Sequence, residues 1–78
     1  MSNIEYIIYI LIVNNEYKYN NRVDINSILE ESKNIKYGVY NFSKYSVYRI
    51  CILLRELNMI NICRDNGIIY VNSIRDKF

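Results

Sequence analysis

The sequence predicts a small α+β domain, mainly α, in which three helices are followed by a C-terminal β-hairpin. Three observations carry this. Apolar residues recur at helical spacing in three segments before Asn58. Between Met59 and Asn72 the period shortens to two around Asn66-Gly67, a strong hairpin signal because both positions of a type I′ turn need positive φ. The length, 78 residues, allows one domain and little more, so residues 1–78 are expected to fold as a unit.

The first helix is expected at about 3–14. Ile4, Ile7, Ile8 and Leu11 form one stripe, while Tyr6, Tyr9, Ile10 and Val13 fill the other side. A helix that is apolar all round must be covered all round. One face is therefore expected on the domain core and the other, carrying Tyr6, Tyr9, Ile10 and Val13, on a second copy of the chain. The alternative is a helix sandwiched between the core and the C-terminal tail. The run from Asn14 to Arg22 is polar, contains four Asn and reads as a loop, ending in a short strand near Arg22–Val23.

A second helix is expected at about 25–33. Asp24 is its N-cap, because a carboxylate accepts hydrogen bonds from free backbone N–H groups. Val23 and Ile28 stand at the two positions of a hydrophobic staple. Ile25, Ile28 and Leu29 form the inner face, and Glu30 and Glu31 face water. Residues 34–41 are a connector around Gly38, longer than the three or four residues of a simple helix-turn-helix.

The third helix is expected at about 44–57, with Ser43 as N-cap and Phe42 and Val47 as its staple pair. Val47, Ile50, Cys51, Leu54 and Leu57 form the apolar stripe. Lys44, Tyr45, Tyr48, Arg49 and Arg55 lie away from it. Asn58 follows, and Asn is the usual substitute for Gly in a left-handed C-cap. In the hairpin, 59–72, the turn pairs Arg64 with Ile69, Ile62 with Val71 and Ile60 with Ser73. Opposed residues share a face, so Ile60, Ile62, Ile69 and Val71 fall together. A hairpin alone is marginal in water, so the helices must cover that face. Helices followed directly by a covered hairpin make a winged helix-turn-helix, with the hairpin as the wing.

Half of the chain is apolar, which argues against disorder and for a partner covering some of the excess. Fifteen residues are Ile and twelve Asn, with no Ala, Thr, Gln, His, Pro or Trp, a bias toward AT-rich codons that suggests a viral or plasmid gene. The net charge of +2 says little, but its distribution is uneven. From Ser32 to Arg55 stand Lys33, Lys36, Lys44, Arg49 and Arg55, with no Asp or Glu among them. Phosphate binding needs a local positive surface of this kind; a merely solvated basic face is the plainer alternative.

Catalysis has little to stand on. Without His the usual general base is missing, and Gly38 and Gly67 do not make a phosphate loop. Glu30-Glu31 is a carboxylate pair of adjacent helix residues, which point different ways. Cys51 and Cys63 lack metal-ligand spacing, so no metal is expected. Cys51 falls on a buried stripe and Cys63 on the opposite hairpin face, so both are expected as free thiols. The apolar run Tyr6–Val13 is far short of a membrane span and lacks the flanks of a signal peptide. An intracellular, cytoplasmic protein without cofactor or small-molecule ligand is expected.

The segment SVYRICILLRELNMINICRDNGIIYVN, 46–72, resembles the third helix and wing of MarR- and PadR-type transcriptional regulators. Ser43 opens the helix, Val47-Tyr48-Arg49 follows, Leu53, Leu54 and Leu57 lead out, and Asn58-Met59-Ile60 enters the wing. Asn58 stands where the family has Gly. The likeness covers about a third of the chain and extends elsewhere through element order. Small size and composition are also similar to the short winged-helix proteins of archaeal viruses and plasmids. The resemblance implies double-stranded DNA as partner, with the third helix in the major groove. Arg49 would then bond guanine, Ser43 and Lys44 would meet phosphate, and Tyr45 and Tyr48 would touch thymine methyls or phosphate. Lys33 and Lys36 would add phosphate contacts from the connector, and Arg64 from the wing. A winged-helix adaptor that binds protein is the competing reading, and RNA or a non-B-form duplex a third.

Overall fold

A computed structural model describes residues 3–18, 22–35 and 42–74. Its order is α1 (Asn3–Lys18), β1 (Val23–Asp24), α2 (Ile25–Ser32), α3 (Lys44–Glu56), β2 (Ile60–Asp65) and β3 (Ile68–Ser73). The strands form one antiparallel sheet in the order β1-β3-β2. The layout is α+β, mainly α, and winged-helix-like. The connector residues 36–41, Lys36 and Gly38 among them, lie outside the described residues.

The hairpin has the expected register. Ile60 pairs with Ser73, Ile62 with Val71 and Arg64 with Ile69. Asn66 and Gly67 take φ of 53° and 78°, the left-handed pair that a type I′ turn demands. Val23 pairs with Val71, which adds β1 on the far side of β3. Val23, Ile60 and Val71 are buried, Ile62 and Ile69 are half-buried, and α1, α2 and α3 cover this face.

Capping follows the sequence closely. The Asp24 carboxylate accepts from the Asn26 N–H at 2.8 Å. The Ser43 hydroxyl accepts from the Ser46 N–H at 3.1 Å while the Ser46 hydroxyl accepts from the Ser43 N–H at 2.9 Å, a reciprocal capping box. At the far end of α3, Asn58 has φ 59°. Its N–H donates to the Arg55 carbonyl and that of Met59 to the Leu54 carbonyl, each at 2.9 Å, the paired bonds of a Schellman motif.

Three expectations need correction. Leu57 does not join the buried stripe of α3; it is exposed, because the Schellman turn ends the helix first and swings the chain into β2. And α1 does not stop near Asn14 but runs to Lys18. Its last turn is held by tertiary polar contacts. The Asn15 amide is buried and donates to the Leu11 carbonyl at 2.8 Å and to the Glu31 carboxylate. The buried Glu16 carboxylate accepts from the Ser73 N–H at 2.6 Å, tying α1 to the end of β3. Glu31, expected to face water, is drawn in by Asn15 and also pairs with Lys18 at 3.6 Å. Buried polar groups with satisfied partners thus extend a helix through a polar run that reads locally as loop.

These contacts also set the rotation of α1. Its most buried line is Ile8, Ile12, Asn15 and Glu16, with Ile4, Ile7, Tyr9 and Leu11 packed partly against the core. Tyr6, Ile10, Val13 and Tyr17 share the opposite face at spacings of four, three and four, and Tyr6 and Tyr17 are exposed.

The Glu16 tie makes a stability prediction. Glu16→Ala removes the acceptor used by the Ser73 N–H and should cost about 1–3 kcal/mol. Glu30→Ala, which deletes an exposed partner of Lys33, should change stability by less than about 0.5 kcal/mol. Urea unfolding of both variants checks this; equal midpoints would show that the tie contributes nothing.

Candidate nucleic-acid interface

The inner side of α3 is fixed by Val47, Ile50, Cys51 and Leu54, all buried. Helical geometry then sets the outer side. Tyr45, Arg49, Ile52 and Glu56 recur at spacings of four, three and four opposite the core, and all four are exposed. Lys44 and Tyr48 lie between the two faces. The sequence passes over Ile52, because an apolar residue beside an apolar stripe reads as core; its spacing from Arg49 is the signal that assigns it to the outer line.

Two cation–aromatic pairs, each one turn long, organise the first half of α3. The Lys44 ammonium stands 6.0 Å from the centroid of the Tyr48 ring, and the Arg49 guanidinium 5.8 Å from that of Tyr45. Tyr48 is half-buried against the core, whereas Tyr45 is 72% exposed. The two tyrosines therefore differ in what they can reach. Ser43, also exposed, has its hydroxyl engaged in the capping box.

Charge pairing sorts the cations. Four of the seven described Lys and Arg side chains have a carboxylate partner: Lys18 with Glu31, Arg22 with Asp65, Lys33 with Glu30, and Arg55 with Glu56. Among the described residues Lys44, Arg49 and Arg64 have none within ion-pair distance. The acid-free stretch from 32 to 55 is thus offset at its ends by Glu30 and Glu56, which stand just outside it in sequence and within reach in space. Such exposed pairs are worth about 0–1 kcal/mol and exchange readily.

Arg64 lies on the helix side of the hairpin, in line with Ile60 and Ile62 but exposed near the turn. On the other side Arg22 reaches across β3. It bonds Asp65 and lies 4.3 Å over the Tyr70 ring, joining β1 to the base of the turn. The Asp65 bond, helped by Tyr70, raises the Arg22 pKa above its already high ordinary value. Arg22 is therefore a clasp on the wing, a role with no local sequence signal.

Other surfaces suit phosphate less well. An open cleft of about 320 Å³ between α1 and α2 is lined by Asn15, Asn26, Ser27, Glu30 and Glu31, and its carboxylates repel anions. Among the described residues no three His, Cys, Asp or Glu side chains gather as a metal site, and no helix is long and apolar enough to cross a membrane. No protein-family model, curated protein or solved structure matches this chain.

Both cysteines are free, Cys51 buried and Cys63 exposed. Burial pushes the Cys51 thiol up to about 12, so at neutral pH it stays protonated and unreactive. A colorimetric disulfide reagent at pH 8 should titrate one thiol quickly in the native protein and the second only with denaturant. Two fast thiols would contradict the packing of α3.

Proposed function

We propose that the protein binds double-stranded DNA sequence-specifically, as a homodimer, with α3 in the major groove, and acts as a transcriptional regulator. The observation that carries this reading is the first half of α3. There Lys44, Tyr45 and Arg49 stand exposed, and the two cations lie against aromatic rings with no carboxylate partner among the described residues. A helix that is itself the outer surface, with donors free to exchange water for phosphate and base edges, fits the groove. Arg49, in the middle of the outer line, is the base reader. Lys44, at the helix start, takes phosphate, and Arg64 adds a wing contact. The likeness to MarR- and PadR-type regulators supports the same reading from the order of elements. DNA binding would place the protein in the cytoplasm, of a host if its gene is viral.

The dimer would use the outward face of α1. Tyr6, Ile10 and Val13 lie along it, and Tyr17 extends it; Tyr9, which packs partly on the core, contributes less. One observation favours the adaptor reading instead: Leu53 and Leu57, one turn apart, leave apolar surface exposed at the end of α3.

A titration with random duplex DNA at several salt concentrations separates the two. DNA binding gives affinity that falls steeply with salt, each phosphate contact contributing about 0.9 to the log–log slope. Lys44→Ala should reduce that slope by about one contact, whereas Arg49→Ala should leave the slope and narrow the gap between preferred and random sequence. Absence of binding at low salt removes the reading in favour of the adaptor. Sedimentation should give a dimer at micromolar concentration, and a monomer for the doubly charged variant Tyr6→Glu, Ile10→Glu; a monomeric wild-type chain removes the pairing.

A further inference from the structure

The outer line of α3 carries more than a cation. Arg49 is bracketed along the helix by Tyr45, four residues before it, and Ile52, three residues after it. Both flanking side chains are exposed, Tyr45 to 72% and Ile52 to 46%. Ile52 stands apart from the hydrophobic core and leaves nearly half of its surface to solvent. Tyr48, the other aromatic of α3, is half-buried and set aside from the line. The surface that would enter a groove therefore has one forked donor between two apolar contacts.

Resting on the reading of α3 as a major-groove helix, we infer that the protein selects a guanine with a thymine on each side. Tyr45 and Ile52 act as specificity-determining residues that contact the two thymine methyl groups. The chemistry of the groove leads there. A guanidinium fork matches the O6 and N7 acceptors of guanine, and the one apolar group that a base presents in the major groove is the thymine methyl. Spacing sets the distance. At about 1.5 Å of rise per residue, Tyr45 and Ile52 sit roughly 6 and 4.5 Å along the helix from Arg49. With base pairs about 3.4 Å apart, the methyls fall within about two base pairs of the guanine. Cytosine at the same places would set an amino group against the tyrosine ring or the isoleucine side chain, leaving that donor unpaired.

The test uses the full-length protein and defined DNA. Bound sequences are first enriched from a random pool of duplexes. The preferred duplex is then remade with deoxyuridine for each thymine in turn, which deletes only the methyl, and with 7-deazaguanine for the guanine, which deletes only N7. Enriched sites should contain a guanine with a thymine within about two base pairs on both sides. Each deoxyuridine should weaken binding about fourfold, the worth of one buried methyl group. Ile52→Ala should abolish the effect at one thymine and Tyr45→Ala at the other, while circular dichroism shows both variants folded. Deoxyuridine duplexes bound as tightly as thymine duplexes, or enriched sites without this arrangement, overturn the inference while leaving DNA binding intact. Failure to retain any duplex from the random pool overturns the underlying reading and this inference together.

Discussion

The two-residue turn at Asn66-Gly67 constrains more of this molecule than any other feature. Its positive φ angles admit a single register for β2 and β3. That register gathers Ile60 and Val71 on one face, and β1 adds Val23 to it. A slip of one residue would move all of these side chains to the opposite side of the sheet. The helices have nowhere else to bury their stripes, so the sheet decides how α3 is rolled. Once Val47, Ile50, Cys51 and Leu54 are committed inward, Tyr45, Arg49 and Ile52 are committed outward. A backbone requirement in the hairpin thus orients the side chains that would meet a ligand.

Electrostatics is arranged in two classes. The cations at the end of α1, just before β1, after α2 and at the end of α3 are paired with carboxylates, and the Arg22–Asp65 pair also clasps the wing. Those at the start of α3 and at the hairpin tip are not. Lys44 and Arg49 lie over aromatic rings, which hold a cation without neutralising it. Neutralised pairs add little to affinity for an anion, so the small net charge understates the local potential around α3.

Much of this was legible in the residues because it is local. The caps at Asp24 and Ser43, the left-handed Asn58, the hairpin register and the outward placement of Tyr45 and Arg49 all follow from short-range stereochemistry and period, whereas Ile52 was passed over and Tyr48 is half-buried. What was hidden depends on partners far away in sequence. The last turn of α1 is helical because Asn15 meets Glu31 and Glu16 meets the Ser73 N–H, 16 and 57 residues along the chain. The ion pairs of Lys33 and Arg55 were missed for a different reason: their partners lie just beyond the window in which acids were absent. Leu57 fits the stripe by period alone, yet the turn at Asn58 lifts it out of the core. Lys36 and the rest of 36–41 lie outside the described residues.

On the function proposed for this chain, the outer line of α3 is the surface that meets DNA. Amide chemical shifts of the labelled protein, followed as a duplex is added at low salt, test it residue by residue. Shifts should concentrate on Ser43–Ile52 and at Arg64, with the outer sheet face around Cys63 and Tyr70 unmoved. Shifts confined to Leu53, Leu57 and α1, or to the outer sheet face, would contradict it.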